Sequence, residues 1–451
     1  MDNTNKRSNL VVHNNSEIIK LILSFDKNER NEVYKELIKY CGSEDRKFIK
    51  NEIKQYRHKD VISLLPEELS LYILSLLDFR TLIIASMVNK KWNILCSNSE
   101  LWKQHCHLFS YQLELEYNYF LKNNNYQNIF KMIYCRESNY KKKKFNKHSL
   151  NFHNGKIMGV YVSSNNQQLI SLSFDRTIQI HDINTFKLIR QFETDTMKCS
   201  SLYNNELLVI GTFSRTCVLY NIKTDDPPKI FTGHINTVCA VNINNQYMIS
   251  ASLNKYIFVW DWKEEKRIKE LKIPDEYYYN RNEQDDNALF INFSVTELKI
   301  KDQFIIAAIH NHILVWNIEK DFELYKIITL TDTIRSFDVC DTYIFASQIQ
   351  SYSIIPILEE IEEDIIVYKN RSLNVIQKIV VDEKRIVFWY IETSQSSSGI
   401  NPNRSFIKII NREDHKELFK CESPGINVLN INKNSIVYGD YYGSIIIYDF
   451  S

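Results

Sequence analysis

The sequence predicts a multidomain chain with an all-α N-terminal part followed by an all-β part, and two observations carry that prediction. Up to about residue 106, apolar residues recur at helical spacing in short stripes. From about residue 150 that period gives way to β-rich blocks repeating at a near-constant interval. With 451 residues the chain is too long for one ordinary core, so two or three units are expected.

Composition excludes several classes. A net charge of +1 with 25% charged residues lacks the basic excess of a dedicated nucleic-acid binder, so no nucleic-acid partner is expected. The nine cysteines are scattered with no C-x-x-C pair, which argues against a disulfide frame or zinc ribbon and for a reducing compartment, cytoplasm and/or nucleus. Residues 1–15 read as a polar, disordered tail without a secretory apolar region, and no run of about 18 apolar residues suggests a membrane span. Only nine glycines occur, and turns are carried by Asn pairs such as Asn165-Asn166 and Asn204-Asn205, so repeat signatures that lean on glycine should look eroded.

The α part begins with a helical segment over 16–58. Asp26 and Glu29 form a capping box, and Val33, Tyr34, Leu37, Ile38 and Cys41 make one stripe. Phe48, Ile49, Ile53 and Tyr56 make another. Such stripes serve either as core or as a dimer seam, and both readings stand. A compact helical module follows over 60–106. Its stretch LPEELSLYILSLL, 65–77, opens a helix after Pro66 with two glutamates in the first turn. At about 100° per residue, Leu69, Tyr72, Ile73, Leu76 and Leu77 lie on one side, with Leu71 and Leu74 nearly opposite. One face should enter the module's core, and the other needs a second burial site. Asp78 should cap FRTLIIASMVN, before KKWNILC and SELWKQHC. The region 107–148 is a helical and basic linker ending in Lys141 to Lys144, read as a solvated stretch or an import signal.

In the β part, 149–451, six fourteen-residue blocks stack: LISLSFDRTIQIHD, LVIGTFSRTCVLYN, MISASLNKYIFVWD, FIIAAIHNHILVWN, IFASQIQSYSIIPI and IVYGDYYGSIIIYD. A seventh, RIVFWYI with SFIKIIN, ends at Asn411. Successive block ends are 39, 40, 56, 40, 54 and 38 residues apart, a period near 40 with insertions at 273–292 and 393–403. This pattern resembles WD repeats, each one four-stranded blade of a propeller, here seven. Gly233-His234 and Trp260-Asp261 keep the family marks, whereas His181 stands where Trp is usual and Asn317 replaces Asp. The last block lacks an outer strand from its own segment, and the family implies that roughly 143–152 supplies it.

The module at 60–106 resembles an F-box, through Leu65-Pro66-Glu67-Glu68-Leu69, Ile73-Leu74, Val88 before Trp92, and Leu101-Trp102. That resemblance implies docking on a Skp-type adaptor, and through it on a cullin and a RING subunit, with Leu65, Pro66, Leu69, Ile73, Leu74 and Leu77 as contacts. The preceding helices resemble the dimerisation segment of β-TrCP-type receptors, implying a homodimer. Together the parts resemble a substrate receptor of an SCF ubiquitin ligase. The alternative is a ligase-independent scaffold tethered to the adaptor.

No phosphate loop, G-x-S-x-G or H-E-x-x-H is present, so no catalysis and no cofactor are expected. His105-Cys106-His107 and His310-Asn311-His312 lack the spaced partners of a zinc site and read as surface or turn residues. For substrate, position eight of the blocks carries Arg176, Arg215 and Lys255 in three consecutive blades, and DTMKCSSL and DTIRSFDV add Lys198 and Arg335 at inner-strand starts. Arginine forks suit phosphate oxygens. DRT and TMKC resemble segments of phosphodegron-binding receptors, which implies a phosphorylated protein substrate. The competing reading is a set of ordinary exposed bases, with Phe174, Phe213 and Tyr441 as aromatic anchors.

Overall fold

The computed structural model describes residues 20–56, 60–107, 125–163, 167–280, 291–292, 295–358, 365–369, 374–392 and 404–451. The tail 1–15, residues 108–124 of the expected linker, the Asn165-Asn166 turn, the middle of the 273–292 insertion and the 393–403 insertion lie outside the described residues. The chain divides into two compact units, 1–101 and 102–451.

The first unit is helical: Lys27–Tyr40, Ser43–Tyr56, Val61–Leu64, Glu67–Ser75, Phe79–Ser86 and Lys90–Cys96, with Ser99–His107 crossing the boundary. The capping box forms as read: the Asp26 carboxylate accepts from the Glu29 amide at 2.8 Å, and the Glu29 carboxylate accepts from the Asp26 amide at 2.9 Å. Helix Lys27–Tyr40 buries nothing, so Tyr34, Leu37 and Ile38 stay exposed, as does Phe48 on the next helix. The stripe is therefore not core within this unit. The core comes from the later helices: Ile62, Leu74, Leu82, Ala85, Leu95 and Cys96 are all buried. Asp78 caps Phe79–Ser86 through the Thr81 amide.

The second unit contains, among the described residues, seven four-stranded antiparallel sheets. Each sequence block supplies the two middle strands of one sheet; Gln168–Ser173 and Thr177–Asp182 of the first are an example. Inner strands Ile157–Val162, Met197–Tyr203, Val238–Ile243, Val295–Lys301, Ser336–Cys340, Asn374–Val381 and Ile426–Ile431 meet in order, and the last meets the first. The ring is a closed seven-bladed propeller. Its middle strands sandwich apolar layers between neighbouring blades, so Phe304–Ile309 is buried at every position. Turn chemistry also matches the sequence: Asn204 and Asn205 have φ of 50° and 53° and join two strands where glycine is usual.

Closure uses the N-terminal side of the unit. Strand Asn146–Asn151 pairs antiparallel with Ser444–Asp449, Asn146 opposite Asp449 and Asn151 opposite Ser444. Helix Tyr126–Lys142 secures the same place. Tyr140 stacks on Phe450 at 3.9 Å with the Arg385 guanidinium 4.0 Å from its ring centre, and Asn139 donates to the Phe450 carbonyl at 2.9 Å. Part of the expected linker is thus a docked helix, while Lys141 to Lys144 remain exposed.

Two blades keep a buried polar relay. In the first, His153 contacts Asp175 through Nδ1 at 3.0 Å and the Ser171 hydroxyl through Nε2 at 2.9 Å. In the third, the Ser250 hydroxyl lies 2.7 Å from His234 Nε2 and accepts from the Trp260 indole at 2.8 Å. His181, occupying the Trp position of the first blade, stacks on Phe152 at 3.7 Å. Burial, with smaller repulsion from His153 and Arg267 respectively, lowers His181 and His234 to about 4.

Two predictions follow from this architecture. Deleting 143–152 removes the closing strand and exposes an edge, so size-exclusion chromatography should show aggregation; a monodisperse deletion product would refute the closure. Both imidazoles must stay neutral when folded, while the unfolded chain protonates them near pH 6.5. Their contribution is complete above about pH 6.5 and declines as pH falls towards 4, by on the order of 1 kcal/mol per pH unit for each. Thermal melts from pH 7 to 4.5 should be flatter for His181→Phe than for the parent, and identical slopes would count against the assignment.

Candidate functional site

The structure presents two candidate surfaces, one in each unit. In the helical unit, helix Glu67–Ser75 turns Ser70 and Leu74 inward, and the Ser70 hydroxyl donates to the Ile62 carbonyl at 2.8 Å. That bond sets which apolar side faces in. Leu69, Tyr72 and Leu76 consequently face out, Leu69 and Leu76 being 41% and 59% exposed. Leu64, Ile84, Met87, Val88 and Ile94 are exposed as well. Of the expected adaptor contacts, Pro66 and Leu69 are exposed, and Leu65, Ile73 and Leu77 are half-buried. Leu74 is corrected: at 1% exposure it belongs to the core, because it lies on the Ser70 side of the helix.

Sequence reasoning missed Asp60, whose carboxylate accepts from the Trp92 indole at 2.6 Å and the Ser63 amide at 3.1 Å. The Ser63 hydroxyl first, then Trp92, the Ser63 amide and Asn89, against the opposing effect of burial, lower its carboxyl to about 2. It ties helix Val61–Leu64 to helix Lys90–Cys96. An Asp directly before an apolar stretch was the available signal, and its meaning depended on Trp92, 32 residues away.

In the propeller, each inner strand has a buried apolar residue at or near its start: Ile157, Met197, Val238, Val295 and Ile426 begin theirs, Ile334 lies two residues before Ser336–Cys340, and Ile376 is the third residue of Asn374–Val381. The residues that follow them, Met158, Lys198, Cys239, Thr296, Arg335 and Asn427 among others, line a central cavity of about 830 Å³. This ring holds two cations and no acid. Just beyond it, Glu297 joins three blades, accepting from Lys378 at 2.6 Å, the Ser336 hydroxyl at 2.8 Å and the Phe337 amide at 2.9 Å. Burial would raise the Glu297 carboxyl, but Lys378 and Lys299 outweigh it and hold it below its ordinary value. Lys299 pairs with Asp338 at 3.2 Å.

Arg176 and Arg215 stand on the turns of the first two blades, exposed, each with φ of 70°. In the seventh blade the same position is Gly443, φ 94°, where a Cβ would lie 2.3 Å from the His153 carbonyl oxygen. Left-handed arginines carry conformational cost, a feature that recurs at binding sites. Arg176, Lys198, Arg215 and Arg335 take part in no ion pair among the described residues. Arg176, Lys198 and Arg215 share the sector of the first two blades; Arg335, on the fifth, lies elsewhere around the ring. Lys255 is corrected: its ammonium is bound by Asp275 at 2.9 Å and is not a free cation. Phe174 and Phe213 are exposed and meet edge-to-face with centroids 6.2 Å apart.

Among the described residues no group of three or more His, Cys, Asp or Glu is placed to hold a metal, and no helix is long and apolar enough to cross a membrane. Cys106 proves buried, its thiol 3.6 Å from the Tyr126 carbonyl, in place of the expected surface position.

An F-box-like family model matches residues 62–108, and the WD domain, G-beta repeat model matches 145–182 and 225–261. The chain thus combines an F-box-like segment with WD repeats, the make-up that F-box/WD repeat-containing proteins share. The matched repeats are the first and third blades, the two that keep the His–Ser relay. It is 31% identical over 93 residues to F-box/WD repeat-containing protein 2 of Homo sapiens, covering 20% of each chain. It is 36% identical over 70 residues to F-box/WD repeat-containing protein 7 of Drosophila melanogaster, 16% of this chain and 5% of that one. Against WD repeat-containing protein pop2 of Schizosaccharomyces pombe it is 24% identical over 261 residues, 50% of this chain and 37% of the relative. The match thus spans about a fifth of the length of the mammalian relatives.

Core and surface leucines of helix Glu67–Ser75 should respond differently to truncation. Leu74→Ala should destabilise the helical unit by about 2–5 kcal/mol, whereas Leu69→Ala should change stability by no more than about 0.5 kcal/mol. Urea denaturation followed by helical circular dichroism, the α signal of the first unit, measures both, and equal losses would reverse the assigned faces.

Proposed function

We propose that this protein is the substrate-recognition subunit of an SCF-type ubiquitin ligase, with the F-box over 60–106 docking on a Skp-type adaptor and the propeller over 149–451 capturing a phosphorylated protein. The observation that carries the reading is the outward face of Leu69, Tyr72 and Leu76, left unburied on an F-box-like helix in a chain that also holds a closed propeller. Through the adaptor the receptor would join a cullin and a RING subunit. Its contribution is positioning: it holds a substrate lysine near the conjugating enzyme and performs no chemistry itself. Pro66, Leu65, Ile73 and Leu77 flank the docking face and serve as its rim.

The phosphate preference is supported by the charge around the channel, where Lys198 and Arg335 line the cavity with no ion pair among the described residues and Arg176 and Arg215 stand on the turns of the first two blades. The apolar stripe on Lys27–Tyr40, exposed within its unit, supports pairing of this segment with a second copy.

Burying a leucine contributes about 1.5–3 kcal/mol, so Leu69→Asp with Leu76→Asp should reduce copurification of the adaptor at least about a hundredfold. The propeller should melt unchanged, since it is a separate compact unit. In cells carrying the double variant, bound partners should accumulate and their half-lives lengthen. Full adaptor yield would sink the docking face. Lost adaptor binding with unchanged partner turnover would favour a ligase-independent scaffold.

A further inference from the structure

Lys156 was not among the basic residues that the repeat pattern singles out, because it directly precedes the buried first residue of its inner strand instead of following it. Its ammonium lies 4.4 Å from the ring centre of Tyr441, a half-exposed residue on the turn of the neighbouring seventh blade. Its carbonyl accepts from the Phe174 amide at 2.8 Å, which holds its backbone against the turn of its own blade. The side chain lines the central cavity together with Lys198 of the second blade.

The electrostatics of this pair are unanswered within the protein. Burial first, and then the Lys198 ammonium, push the Lys156 pKa below its ordinary value. Neither lysine is in an ion pair among the described residues. Other cations nearby have acids in their field. Lys299 and Lys378 are paired across the channel, and Lys255 is paired with Asp275. Arg176 lies close enough to Asp195 to contribute to that carboxyl's lowered pKa, after Ser214 and Thr196. Two unpaired ammonium groups therefore share the cavity where blades seven, one and two meet, while Arg335, also in no ion pair, lies apart on the fifth blade. Two ammonium groups that repel one another in a partly dry cavity are relieved by a dianion placed between them.

We propose that Lys156 and Lys198, with the Tyr441 ring beside them, form the principal seat for the phosphate group of a phosphorylated side chain. Lys156 is then a specificity-determining residue, and the loop-tip arginines act around it. A phosphate dianion matches both ammonium charges, whereas a carboxylate leaves one unanswered. The cation–π contact with Tyr441 keeps Lys156 at the mouth when the seat is empty. This inference rests on the phosphate reading given above.

The test uses the full chain with three probes: N-acetyl-phosphothreonine amide, its unphosphorylated form, and inorganic phosphate alone. Affinity is read by phosphorus NMR and by calorimetry. Loss of one charge-assisted bond corresponds to at least about a tenfold change. Lys156→Met should weaken the phosphothreonine probe by that amount, Lys156→Arg should largely retain it, and Lys255→Met should leave it unchanged. NMR of the reductively methylated lysines should also show the Lys156 pKa rising as the probe binds, a shift that a purely structural role would not give; Lys156→Gln serves if the methionine variant is unstable. Equal binding by parent and Lys156→Met, with loss in Lys198→Met, would overturn the inference and leave the phosphate reading standing. Binding of inorganic phosphate with exclusion of the phosphothreonine probe would overturn it too. No phosphorylated probe bound by the parent would overturn both.

Discussion

Everything in the second unit depends on one strand pairing, that of Asn146–Asn151 with Ser444–Asp449. A propeller blade is a small antiparallel sheet whose two faces are apolar, and it can bury both only if it has a neighbour on each side. Six blades find neighbours in sequence order. The seventh must meet the first, and it acquires its outer strand from residues about 300 positions earlier in the chain. Tyr140, Asn139 and Arg385 then clamp the joint with a ring stack, a hydrogen bond to the Phe450 carbonyl and a cation over the ring. Closure also creates the channel mouth, because Tyr441 on the seventh blade comes beside Lys156 on the first only in a closed ring.

The channel shows how the ring tolerates charge at its centre. Glu297 engages the fifth and sixth blades at once, and Lys299 with Asp338 ties the fourth to the fifth. Burial opposes the Lys299 charge, but Asp338 and Glu297 outweigh it and hold the ammonium above its ordinary pKa. These groups satisfy each other. The lysines and arginine that line the same cavity take part in no ion pair among the described residues, and the proposed phosphate site rests on that contrast. Breaking a satisfied pair should harm the fold, whereas removing an unsatisfied cation should harm only recognition.

Much of the fold was legible from the sequence because the relevant signals are local. Block spacing, the Asp26–Glu29 capping box, the Asp78 cap and the Asn204-Asn205 turn each lie within a few residues of what they determine. Erosion of the repeat marks leaves the sheets intact because other groups stand in for the relay, as Gln348 does in the fifth blade by accepting from the Ser351 and Ser353 hydroxyls. What the sequence could not reveal was non-local. Periodicity showed two greasy sides on helix Glu67–Ser75, but the Ser70 bond to Ile62 decides which is inside. Lys255 resembled Arg176 and Arg215 by position, and Asp275 in the following insertion cancels its charge. Lys156 gains its setting from Tyr441, far along the chain.

The joint between Asn146–Asn151 and Ser444–Asp449 also imposes an order on synthesis. The helical unit and the closing strand leave the ribosome first, and the partner strand follows about 300 residues later. At roughly 5–20 residues per second that interval is tens of seconds. During it, strand Asn146–Asn151 carries unpaired amides and carbonyls, and the first blade lacks one neighbour. The N-terminal helices, with a core of their own, are complete from the outset of that interval. The first unit can therefore be folded before the propeller exists, and the waiting strand is the part that most needs protection until translation reaches the seventh blade.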